Sequence, residues 1–507
     1  MESWQIVTAV TVAYLLFTLA VGLISGRRSS SSVQGFVAAD RGFGLLVMYF
    51  VIGATAFSAF AFLGGPGWAY SRGAAAFYIL SYGVVGMAPW YFLGPRAAAL
   101  GRRFGYVTQA QLLVGRFPSR TLSALLALLS LAAFVPYITL QMSGAGLVFS
   151  AVTEGRVPFW LGAALAYGVV LLYVLLGGAS AVGWTNVVQG IFMIGIAWSL
   201  GLYLPYLLYG GIRPMFEQIA LTRPELLTAP GLTGAGEPWS WGAYSSAVVV
   251  SAIGFSMWPH LFMKAFAAQS DDTLRRTVVL FPSFQLFLVP VLLIGFAGVL
   301  FPTPPANADA ILPHMILSTQ IPALIVGLFC AGALAASMST GDALLHATAS
   351  ILVEDGVRPF RKMTDRGQRL LMQALVVAVG LAAYGFALRT PASLVQLLLG
   401  AYGVVVQIAP LVVAALFWRR ATTAGALAGL LAGVLTTSFF FLNPALRWAD
   451  LHEGLFGVIA NVAALVGVSL LTPAQPTDRV EPFLDPHLGQ RAVSRPGTAP
   501  VAPSASA

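Results

Sequence analysis

One segment apolar enough to cross a bilayer contains Ala335-Ala336-Ser337-Met338-Ser339-Thr340-Gly341-Asp342, so hydroxyls and a carboxylate sit where hydrocarbon would otherwise surround them. Unsatisfied polar groups in that setting are costly. Adjacent Ser339 and Thr340, with Asp342 two residues on, therefore read as part of an ion or solute path. Hydroxyls in membrane helices also bond back to carbonyls one turn earlier. From the segment alone the two readings stand side by side.

The elements that must position these groups follow from composition. With 58% hydrophobic and 9% charged residues and a mean hydropathy of +0.83, the 507-residue chain is excluded from the soluble classes. Runs long enough for a hydrocarbon core of about 30 Å begin near Trp4, Phe43, Ala74, Leu122, Pro158, Asn186, Tyr244, Val278, Gln320, Leu370, Ala392, Thr422 and Leu455. They predict an all-α polytopic membrane protein with about thirteen transmembrane helices. No basic residue precedes the first run and no small-residue cleavage pattern follows it, so it reads as a retained helix.

An odd number of spans puts the termini on opposite sides. With the N-terminus outside, eighteen of the 27 Lys and Arg residues fall in cytoplasmic loops, among them Arg27, Arg28, Arg102, Arg103, Arg275, Arg276, Arg361 and Lys362. The outer face keeps Arg72, Arg156, Arg213, Arg223, Arg389 and Arg447. This bias predicts a plasma-membrane protein with a cytoplasmic C-terminus. The net charge of +9 is then accounted for by topology and anionic lipid, without a nucleic-acid partner. The single cysteine, Cys330, lies within a span and reads as packing. No Walker-type glycine loop appears, which argues against an ATP-driven pump. Residues 473–507, rich in Pro, Ser, Ala and Thr, read as a disordered cytoplasmic tail.

Two spans carry helix-breaking sequence. The second reads Gly53-Ala54-Thr55-Ala56-Phe57-Ser58-Ala59-Phe60, then Gly64-Gly65-Pro66-Gly67; the seventh reads Ser251 to Gly254, then Phe255-Ser256-Met257-Trp258-Pro259-His260. They lie five spans apart, as expected when two inverted repeats each begin with a helix broken near the midplane. Glycine in membrane helices also serves close packing, so the argument rests on the matched pair.

Four stretches together resemble the sodium:solute symporters, which include the sodium/proline, sodium/galactose, pantothenate and monocarboxylate carriers. They are Gly53 to Gly67; Leu176-Gly177-Gly178-Ala179-Ser180-Ala181-Val182-Gly183-Trp184-Thr185-Asn186 with Gln189; Trp258-Pro259-His260 with Ala267-Ala268-Gln269-Ser270; and Ala335 to Leu345. The resemblance runs from about Phe36 to about Phe417. It implies a LeuT-like core of two inverted five-helix repeats, with one extra helix before and two after. The domains would then be 1–42 (extra helix and first cytoplasmic loop), 43–241 (first repeat and outer loop), 242–420 (second repeat), 421–472 (two C-terminal helices) and the tail.

The resemblance also implies a sodium site where the first broken helix meets the Ser-Thr helix. Its ligands would be carbonyls of Ala54, Phe57 and Ala336 with hydroxyls of Ser339 and Thr340. Neutral oxygens suit a hard cation and release it again. Ala336 and Ser339, three apart, share a helical face that Thr340 completes. Many relatives place an aspartate where this chain has Asn186, and the proline carriers place another where it has Ala56. In the family the former is thought to help sodium leave, so Asn186 and Asp342 are assigned to sodium exit or coupling. Asp342 and His346, one turn apart, leave room for proton coupling or simply cap the helix's cytoplasmic end.

Between the breaks, Ser58, Gln141, Ser256, Trp258, His260 and Tyr402 are the candidate solute-lining residues, chosen for polarity or aromatic surface. His260 with Lys264 one turn later reads either as a carboxylate anchor or as a helix end with a snorkelling lysine. The expected function is sodium-coupled symport of a small organic solute, first a monocarboxylate or pantothenate-like acid and next proline or another amino acid. Its partners would be the solute, sodium and the lipid bilayer, with no cofactor beyond the coupling ion. A proton-coupled symporter of the same fold and a transporter-like nutrient sensor are the alternatives. A membrane-embedded enzyme would want clustered carboxylates; Asp271-Asp272 and Glu354-Asp355 each read as solvated loop charges beside arginines.

Overall fold

Helices that are apolar on every side need protein or lipid around them. The computed structural model describes residues 2–27, 32–319, 321–389 and 394–485. Arg28, the expected span starts at Gln320 and Ala392, and the tail from residue 486 lie outside them. From the N-terminus, α1 (Ser3–Gly26) precedes α2 (Leu45–Ala56), which stops at Phe57. A π-turn, Phe60–Gly64, leads into α3 (Gly65–Arg72), followed by α4 (Phe77–Met87) and α5 (Trp90–Phe104). The short α6 (Gln109–Arg116) precedes the long α7 (Arg120–Val152) and α8 (Phe159–Tyr209). Then come α9 (Trp241–Phe255), α10 (Pro259–Phe262), α11 (Asp271–Gln285), α12 (Leu288–Gly298) and α13 (Ala323–Ile351). The chain closes with α14 (Asp365–Ala387), α15 (Leu394–Val405), α16 (Ala409–Phe417), α17 (Thr423–Leu442), α18 (Glu453–Leu471) and α19 (Thr477–Leu484).

Among the described residues, ten stretches are long and apolar enough to cross a membrane, or eleven if α2 and the helices after it, bent by 54°, count as one. The chain is an all-helical, multi-pass membrane protein. At about 1.5 Å per residue, the 51 residues of α8 are more than twice as long as a hydrocarbon core of about 30 Å is thick. The helix turns at Gly178, whose φ of 53° and ψ of −142° suit only glycine. A Cβ there would also lie 2.6 Å from the Phe36 carbonyl. The break between these two spans thus falls before Asn186, where the sequence suggested that the second begins.

Helix α13 is the centre of the molecule. Every residue from Phe329 to Ile351 is buried, against α1, α2, α7 and α8. By contrast α17 and α18 pack mainly on each other and expose Leu431, Leu435, Phe439, Ile459, Val462 and Leu470, an apolar surface for lipid. Cys330 is free and buried.

The start of the expected disordered tail is ordered: α19 spans Thr477–Leu484, and its buried Val480 and Phe483, three apart, form one apolar face. Phe483 stacks on Phe104 at 6.1 Å, Glu481 pairs with Arg419 at 2.5 Å and Arg96 donates to the Leu484 carbonyl at 3.0 Å. Nearby, the buried Arg116 donates to the carbonyls of Arg419 and Ala421. Burial, with Arg479 close by, pushes its pKa down to about 10.

Candidate functional site

The two broken helices stop for different physical reasons. In the second, Pro259 is the first residue of α10 and Trp258 adopts φ −53°, ψ 119°, the extended conformation that a following proline imposes. In the first, Pro66 lies beyond the break, at the start of α3, and Phe57 leaves the helix at φ −111°, ψ 82° without proline. Here the amide freed after the break, Ala59 N–H, is taken up by Gln141 Oε1 at 3.0 Å, and Phe60 N–H by Ser58 Oγ at 3.3 Å. A side chain from α7 thus replaces a lost backbone bond inside the membrane.

The carbonyls at the C-terminal end of α2 meet the hydroxyls of α13. Ser339 Oγ lies 3.0 Å from the Ala54 carbonyl and 3.2 Å from the Ala336 carbonyl, and Thr340 Oγ1 donates to the Thr55 carbonyl at 2.9 Å. Ala54, Ala336, Ser339 and Thr340 are fully buried, with the negative end of the α2 dipole facing α13. A hydroxyl hydrogen rotates freely, so each Oγ can turn a lone pair toward a cation instead. Phe57 follows three residues after Ala54; among the described residues nothing donates to its carbonyl, and its ring lies against Phe281 and Phe284.

Beneath this set is a second polar cluster. Thr55 Oγ1 donates to Asn186 Oδ1 at 3.0 Å, and Asn186 Nδ2 lies 3.2 Å from both oxygens of Asp342. Tyr173 donates to Asp342 Oδ2 at 2.7 Å, and Thr185 Oγ1 lies 3.2 Å from the same oxygen. Asp342 is wholly buried and α13 continues nine residues past it, so it does not cap the helix. His346 is likewise internal, its Nε2 donating to the Phe36 carbonyl at 2.8 Å. Lys264 is buried as well, so it does not snorkel to a surface.

Trp258 and His260 meet at Tyr137, which sequence reasoning missed: its ring lies 5.0 Å from Trp258 and 6.0 Å from His260. Gln141 follows one turn later on α7 and, with Ser58, holds the amides at the first break. Trp258 also meets Tyr402 edge-on at 5.5 Å, and Tyr402 meets Tyr82 at 5.5 Å. Gln141 Nε2 and His260 Nδ1 are buried without a hydrogen-bond partner among the described residues. Ser256 stands apart: its carbonyl accepts from Trp90 Nε1 at 3.1 Å and it lines a separate cavity of about 10 Å³ with Ile52 and Met87. All six are at most 2% exposed.

The family model described as the sodium:solute symporter family matches residues 36–433. The chain belongs to this family. It is 30% identical over 475 residues, 90% of the chain and 95% of the relative, to an uncharacterized symporter, YhjB, of Bacillus subtilis (strain 168). It is 26% identical to the sodium/pantothenate symporter of Escherichia coli (strain K12), over 90% of the chain and 95% of the relative. Among solved structures, a Na+-coupled sialic acid symporter in a substrate-bound outward-open state superposes with a TM-score of 0.76 at 19% identity, covering 93% of this chain and 99% of that one. That likeness establishes a transporter fold. Membership makes this chain a membrane transporter of a sodium-coupled symporter family.

Proposed function

We propose that this transporter couples inward sodium movement to uptake of a small organic solute by alternating access. The observation that carries the reading is the meeting of the α2 terminal carbonyls with the Ser339 and Thr340 hydroxyls across two helices. Sodium would be held by the carbonyls of Ala54, Phe57 and Ala336 and by those hydroxyls. Asn186 and Asp342 would receive it on its way out. The solute would enter the aromatic group around Tyr137, with Ser58, Gln141, Trp258, His260 and Tyr402 about it and Ser256 at its edge.

An organic acid of the monocarboxylate or pantothenate type is the first choice, and proline or another amino acid the next. The sodium/pantothenate relative supports it, as do Gln141 Nε2, left without a partner among the described residues, and Lys264, buried one turn after His260. In this reading the chain crosses the membrane thirteen times, N-terminus outside, with spans two to eleven forming two inverted repeats of five. Counting α8 as two spans, and α4 with α5 as one, supports that number. A proton in place of sodium is the second reading, favoured by the fully buried Asp342.

Uptake of labelled solutes into proteoliposomes tests the proposal. Sodium-driven accumulation of a monocarboxylate, pantothenate or proline is expected. Accumulation that follows a proton gradient regardless of sodium would select the second reading, and accumulation under neither gradient would overturn both.

A further inference from the structure

Past Ile351, α13 runs into a π-turn, Leu352–Val357, bearing adjacent carboxylates at Glu354 and Asp355. The sequence reads this pair as solvated loop charge; in the fold Glu354 is 2% exposed and Asp355 fully buried. Glu354 Oε2 accepts from Arg358 at 2.6 Å and from Gln111 Nε2 at 2.7 Å. Asp355 Oδ1 accepts from the Thr108 hydroxyl at 2.9 Å. The other two oxygens, Glu354 Oε1 and Asp355 Oδ2, are buried with no hydrogen-bond partner among the described residues. Half-exposed Arg358 pairs with Glu354, whereas among the described residues Asp355 has no ion pair, and a buried charge without a partner is costly.

Both side chains line a cavity of about 480 Å³, with Tyr106, Gln111, Ser123 and Arg358. Asp355 also lines a small cavity of about 10 Å³ with Gln109, Ser130 and Pro259. Pro259 opens α10, so Asp355 stands between the second broken helix and the proposed cytoplasmic mouth. Among the described residues no group of three or more His, Cys, Asp or Glu side chains is placed to hold a metal ion. The missing compensation is therefore one positive charge, and carboxylate oxygens suit a hard cation.

We propose that Glu354 Oε1 and Asp355 Oδ2 form an inner site for a monovalent cation, which holds the coupling ion in transit to the cytoplasm. The inference rests on sodium coupling and on the inside placement of this end. Oriented proteoliposomes containing the full chain test it. Asp355→Asn should raise, by fivefold or more, the cytoplasmic-side sodium concentration that half-inhibits uptake. The external half-saturating concentration should stay within twofold. An unchanged inner constant, or both constants shifting together, would overturn the site.

Should Asp355→Asn fail to fold, binding of 22Na+ to purified protein decides. The Ser339→Ala, Thr340→Ala double variant should keep one saturable component, and its loss of all binding would overturn the inner site. Wild-type protein without sodium-driven uptake would instead overturn the coupling reading itself.

Discussion

Most hydroxyls on these helices donate to a carbonyl one turn back, as Thr11 does to Val7, Ser130 to Leu126 and Ser350 to His346. Thr340 donates instead across to Thr55 on α2, and Ser339 lies between Ala54 and Ala336. That difference separates the two readings of the segment at residue scale. If both hydroxyls bind sodium, Ser339→Ala with Thr340→Ala should raise the sodium concentration for half-maximal uptake by roughly tenfold or more, equivalent to about 1.4 kcal/mol. An unchanged sodium dependence removes them from the site. Asp342 and Asn186 form a donor–acceptor pair whose charge can be moved. Asp342→Asn alone should abolish or severely weaken sodium-driven uptake, and adding Asn186→Asp, which restores one carboxylate to the same cluster, should recover part of it. A double variant no better than the single would tie the charge to α13.

The polar residues of α13 were legible because nothing else in an apolar run accounts for them. Tyr137, Tyr173 and Thr55 were not, since tyrosine and threonine in a membrane span read equally as packing. Glu354 and Asp355 were misread because nearby Gly356, Arg358 and Pro359 resemble a loop. Only the fold shows the helix continuing through a π-turn into the protein.

At element scale the second break was legible from Pro259, whereas the first depends on a helix about eighty residues away. Gln141, picked out as a polar residue in an apolar stretch, proves to hold Ala59 N–H at the break. Gln141→Leu would leave that amide buried and unpaired, at a cost of about 1–3 kcal/mol. The purified variant should therefore unfold at a lower temperature than wild type, and Gln141→Glu, which keeps the acceptor, should lie between them. Equal midpoints for Leu and wild type would mean that Ala59 finds another partner. The long α8 shows the opposite limit: the sequence suggested two spans, but the Leu176-Gly177-Gly178 stretch carries no polar marker of where one ends. Gly178 supplies the turn through a backbone conformation that no hydropathy pattern encodes. The helix α19 escaped notice because two apolar residues on one face do not stand out in a Pro- and Ser-rich stretch.

For the whole molecule the decisive quantity is the charge moved per cycle. One sodium ion entering down about 100 mV contributes roughly 2.3 kcal/mol, and a tenfold concentration gradient adds about 1.4. Together they would concentrate a neutral solute several hundred-fold. A monocarboxylate cancels the electrical part at one-to-one stoichiometry and leaves about tenfold. The hydroxyl and carbonyl set around Ser339 is one ligand group for one ion, and an ion in transit past Asp355 is that same ion, so the expected cycle with an organic acid is electroneutral. Imposing an inside-negative potential on proteoliposomes with potassium and valinomycin should then leave the accumulation of a transported acid unchanged, while accelerating uptake of proline if it is carried. A rise of about fifty-fold for the acid at about 100 mV would mean that a second cation travels with it. The polar cluster of Asn186, Asp342 and Tyr173 would then be the place to look for it, because it adds a buried carboxylate next to the first set.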